Sequence, residues 1–204
     1  MAGSVEPTPV IASVEPTAHG LIVWWTAMQV VRYAAGDWGV GELWFDGNDV
    51  PVWHELPTQT RARPAPNSPQ GASGPPTTTL AEPGARDWGD FVPEAARLIS
   101  RYFAGERISF AGVRIDLGEC TPLQQAIADA LRTIGYGETV TYGELAALAG
   151  RPNAPRAAGS FCSHNNLPLI LPCHRVVAAG GLGSYGSLGL DYKRRLLELE
   201  RAAL

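Results

Sequence analysis

Residues 57–90 divide this chain into two halves of different character. The segment starts PTQTRARPAPNSPQGASGPP and is dominated by Pro, Gly, Ser, Thr and Ala. It has no apolar periodicity with which to bury a face, so it reads as a flexible loop or linker. Before it lie short runs rich in Val, Ile, Trp and Tyr: Leu21–Thr26, Met28–Tyr33, Glu42–Phe45 and Val50–Trp53, broken by turn residues such as Asp46-Gly47-Asn48. These predict an antiparallel sheet. All six Trp lie at or before position 88 and read as sheet and core packing.

After the segment the pattern becomes helical. Val92–Gly105 has an amphipathic period, with Ala96, Leu98, Ile99 and Phe103 on the apolar side and Gly105 as the stop. Arg107–Leu117 alternates as a strand would. Thr121-Pro122-Leu123-Gln124 is a capping box with Pro at the first helical position, opening a helix that runs to about Ile134. Thr141-Tyr142-Gly143-Glu144 is a second capping box, opening Tyr142–Ala149, which closes at Gly150. Arg151-Pro152-Asn153 makes a turn, and a third helix follows from Pro155 to about His164, capped by Asn153 or Ala154. Two short helices joined by a glycine-containing turn form a helix-turn-helix pattern. A last helix, about Leu190–Ala202, follows the loop Gly180–Gly189. The fold class is α+β, divided at 1–117 and 118–204.

The 204 residues are 45% hydrophobic and 18% charged, ordinary for a globular protein, with no run long enough for a membrane helix. The start, MAGSVEPTPV, has neither a basic region nor an apolar stretch, so no signal peptide is expected. Three cysteines and no signal fit a reducing cytosol, the bacterial cytosol or nucleoid, where a thiol stays free. Net charge is −4, against a generic polyanion binder. Residues 1–90 nevertheless hold four Lys/Arg against ten Asp/Glu, and residues 91–204 twelve against ten. A nucleic-acid surface, if there is one, belongs to the second half.

Pro172-Cys173-His174-Arg175-Val176-Val177 carries the chemistry. A cysteine beside a histidine, between Leu169-Ile170-Leu171 and Val176-Val177, reads as a thiol on a rigid, half-buried strand. On a strand the two side chains would face opposite ways, so His174 would not touch the sulfur directly.

Together with three other features, this run closely resembles the O6-alkylguanine-DNA alkyltransferases. The others are Thr141-Tyr142-Gly143-Glu144-Leu145-Ala146, Arg156-Ala157-Ala158-Gly159, and Asn165 eight residues ahead of Cys173. The resemblance covers Gly137–Glu200 closely and extends more weakly to Thr121. It implies an N-terminal ribonuclease-H-like sheet domain, a C-terminal winged helix-turn-helix-like domain, and single-turnover transfer of an alkyl group from guanine O6 to Cys173. Thiolate is the soft nucleophile such a displacement needs. His174 becomes the base, acting through a water, with Glu200 orienting it; Asn165 becomes the hinge, and Tyr142 the donor to the departing guanine. The target base must leave the duplex. Arg156 would fill its place, and Ala157, Ala158, Gly159, Ser160 and Arg175 would lie against the DNA. Pro168, Val176, Ser184, Tyr185, Gly186 and Lys193 would form the base pocket. The expected partner is double-stranded DNA carrying O6-alkylguanine, met through its minor groove by a monomer with no cofactor and no membrane.

The chain departs from the family pattern in places. The loop before Tyr185 is one residue shorter, Ser160-Phe161-Cys162 is bulkier than usual, Asn166 replaces a proline, and Leu123–Leu131 is aliphatic where aromatics are usual. Some relatives carry zinc in the N-terminal domain. Residues 1–110 here have no cysteine and only His19 and His54, so no metal is expected. Three other readings stand beside the repair reading. A non-catalytic alkyltransferase-like lesion sensor would lack the acceptor thiol. A Cys-His hydrolase would want a distant histidine and an oxyanion hole. A plain winged-helix regulator would not need the Cys-His run.

Overall fold

A computed structural model of the chain describes residues 29–59, the backbone of 77–80, and 93–202. The expected strand Leu21–Thr26 lies outside these residues, as does most of 57–90.

The N-terminal half is a four-stranded sheet of β1 (Gln29–Ala34), β2 (Val40–Phe45), β3 (Pro51–Thr58) and β4 (Thr77–Leu80), in the order β3-β2-β1-β4. β1–β2 and β2–β3 are antiparallel, as the sequence predicts. β4 is a departure: it falls inside the presumed linker and pairs parallel with β1. Thr77-Thr78-Thr79-Leu80 is β-branched enough to pair once an edge is offered, although it carries no apolar alternation of its own. Alternation turns Val31, Tyr33, Leu43, Phe45 and Leu56 toward the core. Trp38 and Trp44 are buried as well.

α1 (Glu94–Phe103) packs Ala96, Ile99, Tyr102 and Phe103 onto that face. The stretch 107–117 is not the expected strand. Ile108, Phe110 and Val113 do enter the core, but among the described residues no strand pairs with the segment. The Arg132 guanidinium instead donates to the carbonyls of Ala111 and Val113, supplying the donors a sheet neighbour would have given.

α2 (Pro122–Thr133) and α3 (Tyr142–Leu148) each begin with the capping box read from the sequence, with both reciprocal bonds made. α3 ends in a Schellman turn. Gly150 takes φ +70°, its N–H bonds the Ala147 carbonyl, and the Arg151 N–H bonds that of Ala146. α4 (Pro155–Ser163) starts after Ala154, and α5 (Gly189–Leu199) closes the chain. β5 (Val140–Thr141), just ahead of α3, and β6 (Val176–Val177), between α4 and α5, form a two-residue parallel pair. One apolar cluster runs from Val31 in the sheet to Leu196 in α5, so the two halves share a core. Among the described residues no helix is long and apolar enough to cross a membrane.

Candidate active site

Cys173 is not on a strand. Cys173–Arg175 is one turn of 3-10 helix, and pairing begins only at Val176. Pro172 starts the turn: it fixes its own φ, and its carbonyl accepts from the Arg175 N–H at 2.9 Å. The separation of Cys173 from His174 survives by this other route. The thiol lines a cavity of about 1010 Å³, whose lining does not include His174.

The turn before Cys173 is organised by Asn165. Its amide donates to the Leu171 carbonyl at 2.8 Å and to the Cys173 sulfur at 3.1 Å, while its oxygen accepts from the Leu167 N–H at 3.0 Å. One side chain thus closes the loop after α4 and touches the thiol. Asn166, in the position of the family's proline, gives its carbonyl to the His54 N–H of the sheet. Burial pushes the Cys173 thiol up, and the Asn165 bond and the Lys193 charge pull it partway back.

Behind the thiol, His174 Nε2 lies 2.9 Å from Glu200 Oε1, with both side chains fully buried. Burial holds His174 below its ordinary value, so it is neutral at pH 7. Glu200 can only accept, so Nε2 carries the hydrogen; among the described residues Nδ1 has no partner and keeps a lone pair. Glu200 is a hub. Besides His174 it accepts from Arg175 Nε and Nη2 at 2.9 Å each, from the Tyr102 hydroxyl at 2.8 Å and from the Gly137 N–H at 3.0 Å. Burial alone would raise its carboxyl, but the bonds from His174 and Arg175 hold it well below the usual range.

Two expected site residues have other positions. Arg175 is buried, with its guanidinium committed to Glu200 and to the Ile134 carbonyl at 2.7 Å, so it cannot lie on a DNA surface. Lys193 is also fully buried and lies behind the pocket wall. Its ammonium donates to the carbonyls of Val176 and Leu182, with Ser184 at 3.5 Å, which ties the 180–189 loop to β6. The Val176 carbonyl is thereby already engaged.

Pro168, Ser184, Tyr185 and Gly186 line the cavity, as does Tyr142. The Tyr142 ring is held between glycines: a Cβ on Gly183 would stand 3.3 Å from it and one on Gly159 3.8 Å. On α4, Arg156 and Ser160 are exposed and Ala157 and Gly159 half-exposed, whereas Ala158 is fully buried and faces the core. Phe161 is half-buried and packs against the core. Cys162 lines the same cavity as Cys173, its thiol pushed up to about 12 by burial and by the neighbouring Cys173.

Sequence reading missed Tyr102 and His54. Tyr102 sits in the apolar stripe of α1, and only its hydroxyl could have hinted at a polar partner. His54 is a lone histidine in a strand.

These features define a cysteine-centred site: a buried thiol hydrogen-bonded by an asparagine, backed by a neutral histidine on a carboxylate, next to a two-helix unit with an exposed arginine. Known proteins agree. Residues 122–202 match the family model described as 6-O-methylguanine DNA methyltransferase, DNA binding domain. A methylated-DNA–protein-cysteine methyltransferase of Methanosarcina acetivorans is 47% identical over 112 residues, 54% of this chain and 70% of that protein. One from Mycobacterium leprae is 49% identical over 53% of this chain and 64% of its own length. The crystal structure of Mycobacterium tuberculosis O6-methylguanine methyltransferase superimposes with a TM-score of 0.65 at 32% identity, covering 85% of this chain and 93% of that one. The chain belongs to the methylated-DNA–protein-cysteine methyltransferase family.

Proposed function

We propose that this protein repairs DNA by direct reversal, taking the alkyl group of an O6-alkylguanine onto Cys173 in a single turnover. The observation that carries the reading is the Cys173 sulfur, which lines a cavity while hydrogen-bonded to Asn165 and backed by the His174–Glu200 pair.

The chemistry follows from protonation states. Burial keeps the resting thiol protonated, so a base must take its proton as sulfur attacks. His174 Nδ1 is the lone pair available for this, reached through one water, and Glu200 stabilises the imidazolium that forms. The sulfur–carbon bond forms as the carbon–O6 bond breaks. Guanine leaves stabilised by a hydrogen bond from the Tyr142 hydroxyl and takes its proton from solvent, to which the His174 imidazolium returns the one it took from the thiol. No group removes the alkyl from the thioether, so the protein acts once. Lys193 supports the step from behind, lowering the cost of negative charge on sulfur.

The DNA enters as a duplex with the lesion turned out into the cavity. The exposed face of α4 meets the minor groove, Arg156 takes the vacated place in the stack, and the 184–186 segment with Pro168 walls the base. In this reading residues 1–117 form a ribonuclease-H-like domain and residues 118–204 a winged helix-turn-helix-like domain. The protein acts as a monomer in the cytosol, with affinity that falls as salt rises.

The test is mass spectrometry after incubation with a duplex carrying one O6-methylguanine. One methyl on the peptide holding Cys173, absent in Cys173→Ala, is the expected result. Tight binding with no methyl gain would point to a lesion sensor, and neither binding nor gain would overturn the reading.

A further inference from the structure

The turn that presents Cys173 carries strain. Leu169 takes φ +72°, a left-handed conformation that a buried leucine adopts only when its surroundings impose it. On one side of Leu169 the imposing group is Asn165. On the other it comes from a distant part of the chain. His54, in the middle of β3, donates from Nδ1 to the Pro168 carbonyl at 2.7 Å, and its backbone N–H donates to the Asn166 carbonyl at 2.8 Å. The sheet therefore grips the hinge on both sides of Leu167, one residue short of the strained position.

The grip is itself set by the sheet. A carbonyl can only accept, so Nδ1 carries the hydrogen and Nε2 is left as acceptor. Nε2 lies 2.6 Å from the Tyr33 hydroxyl, which donates to it and fixes the tautomer. Tyr33 pairs across the ladder with Gly41, and a Cβ at Gly41 would stand 2.4 Å from the Tyr33 ring carbon and hydroxyl. Glycine there lets the ring lie flat and bring its hydroxyl to His54. Burial keeps the His54 imidazole neutral, down to about 4. The relay Gly41–Tyr33–His54–Pro168 thus crosses from the sheet to the hinge without a charge.

We infer that His54 is a positioning residue for alkyl transfer: through the Pro168 carbonyl it holds the Asn165–Cys173 turn in its strained form and aims the thiol into the cavity. The inference rests on the repair reading above, and it gives the N-terminal sheet a part in the reaction although it contributes no reacting group. Without the clamp Leu169 can relax, and the thiol loses its aim while the α4 surface keeps its shape.

The experiment measures, on the full chain, the single-turnover transfer rate at saturating O6-methylguanine duplex and the duplex concentration giving half that rate. His54→Phe fills the site without either hydrogen bond. It should slow transfer on the order of tenfold or more, the scale of a misaimed nucleophile, with half-saturation changed less than about twofold. His54→Asn, whose amide can reach the Pro168 carbonyl, should recover most of the rate. Gly41→Ala, which displaces Tyr33, should slow transfer in the same direction. If His54→Phe does not fold, Tyr33→Phe, which keeps the Pro168 bond and frees only the tautomer, takes its place with a smaller loss. The rate of Cys173 carbamidomethylation by iodoacetamide is followed in parallel and needs no DNA. A folded His54→Phe with wild-type transfer overturns the inference, as does an equal loss in rate and affinity. Inactive wild-type protein in which the variants still change iodoacetamide reactivity would count against the repair reading while upholding the clamp. Unchanged reactivity would overturn both.

Discussion

Glu200 Oε1 lies 2.9 Å from His174 Nε2 across 26 residues of sequence, and the same oxygen accepts from the Tyr102 hydroxyl of α1. Helices α1 and α5 and the thiol turn therefore meet on one carboxylate. His174, the proposed base, is held by a carboxylate that also ties the two halves of the fold together.

Arg175→Met should test that double role. Removing the guanidinium leaves a buried carboxylate short of its main countercharge, which costs about 3–5 kcal/mol. Chemical denaturation should show the loss, while half-saturation by lesion duplex stays near wild type, because Arg175 has no surface to offer DNA.

Stability should fall with acid before the carboxylates titrate. Unfolded, His54 and His174 bind protons below about 6.5; folded, burial keeps both neutral lower than that, His54 down to about 4. The unfolded state therefore binds more protons in this window. The stability is whole above pH 6.5 and drops as pH falls, by about 1.4 kcal/mol per pH unit for each histidine still neutral when folded. Urea unfolding at pH 7, 6 and 5 checks the slope, and His54→Phe should flatten it. Glu200, held low, adds its own loss further down, as pH falls below the ordinary carboxylate range.

Lys193→Met keeps the length and loses the ammonium. The carbonyls of Val176 and Leu182 are left without their donor, a cost of about 1–3 kcal/mol. Thiol reactivity should fall as well, because Lys193 favours the thiolate. Iodoacetamide rates across pH should show the Cys173 titration moved upward; a curve that does not move would remove Lys193 from the chemistry.

Arg156→Ala should leave the melting temperature unchanged, since the side chain is exposed. Transfer from lesion duplex should slow and the salt dependence of binding should become shallower. Equal transfer by the variant at every salt concentration would exclude Arg156 from the DNA contact.

Much of the second half was legible because its signals are local. Thr121 with Gln124, Thr141 with Glu144, and Gly150 at a positive φ each act within one turn of backbone, so the residues state the geometry directly. Local rules also misled. The alternation of 107–117 marks burial, which a strand and an unpaired extended segment share, and only Arg132 decides between them. The apolar flanks of Cys173 suggest a strand, but Pro172 starts a 3-10 turn there, and the hinge ahead of it is bonded from the sheet by His54. The resemblance puts Arg175 against the DNA and Lys193 in the base pocket; both are instead buried against carbonyls and, for Arg175, against Glu200, partners that adjacent residues do not reveal.

The sequence by itself determined the thiol, its histidine neighbour, the hinge asparagine and the capped helix pair, because each is written in adjacent residues. The family resemblance names Glu200 as the partner of His174; the tertiary structure decided the rest of what sets the state of that thiol. The carboxylate behind His174, the tyrosine on that carboxylate and the histidine of the sheet lie 26, 98 and 114 positions from the groups they bond. Those pairings follow from how two halves pack into one core, and hydrogen bonds reaching across a core leave no periodicity in the chain.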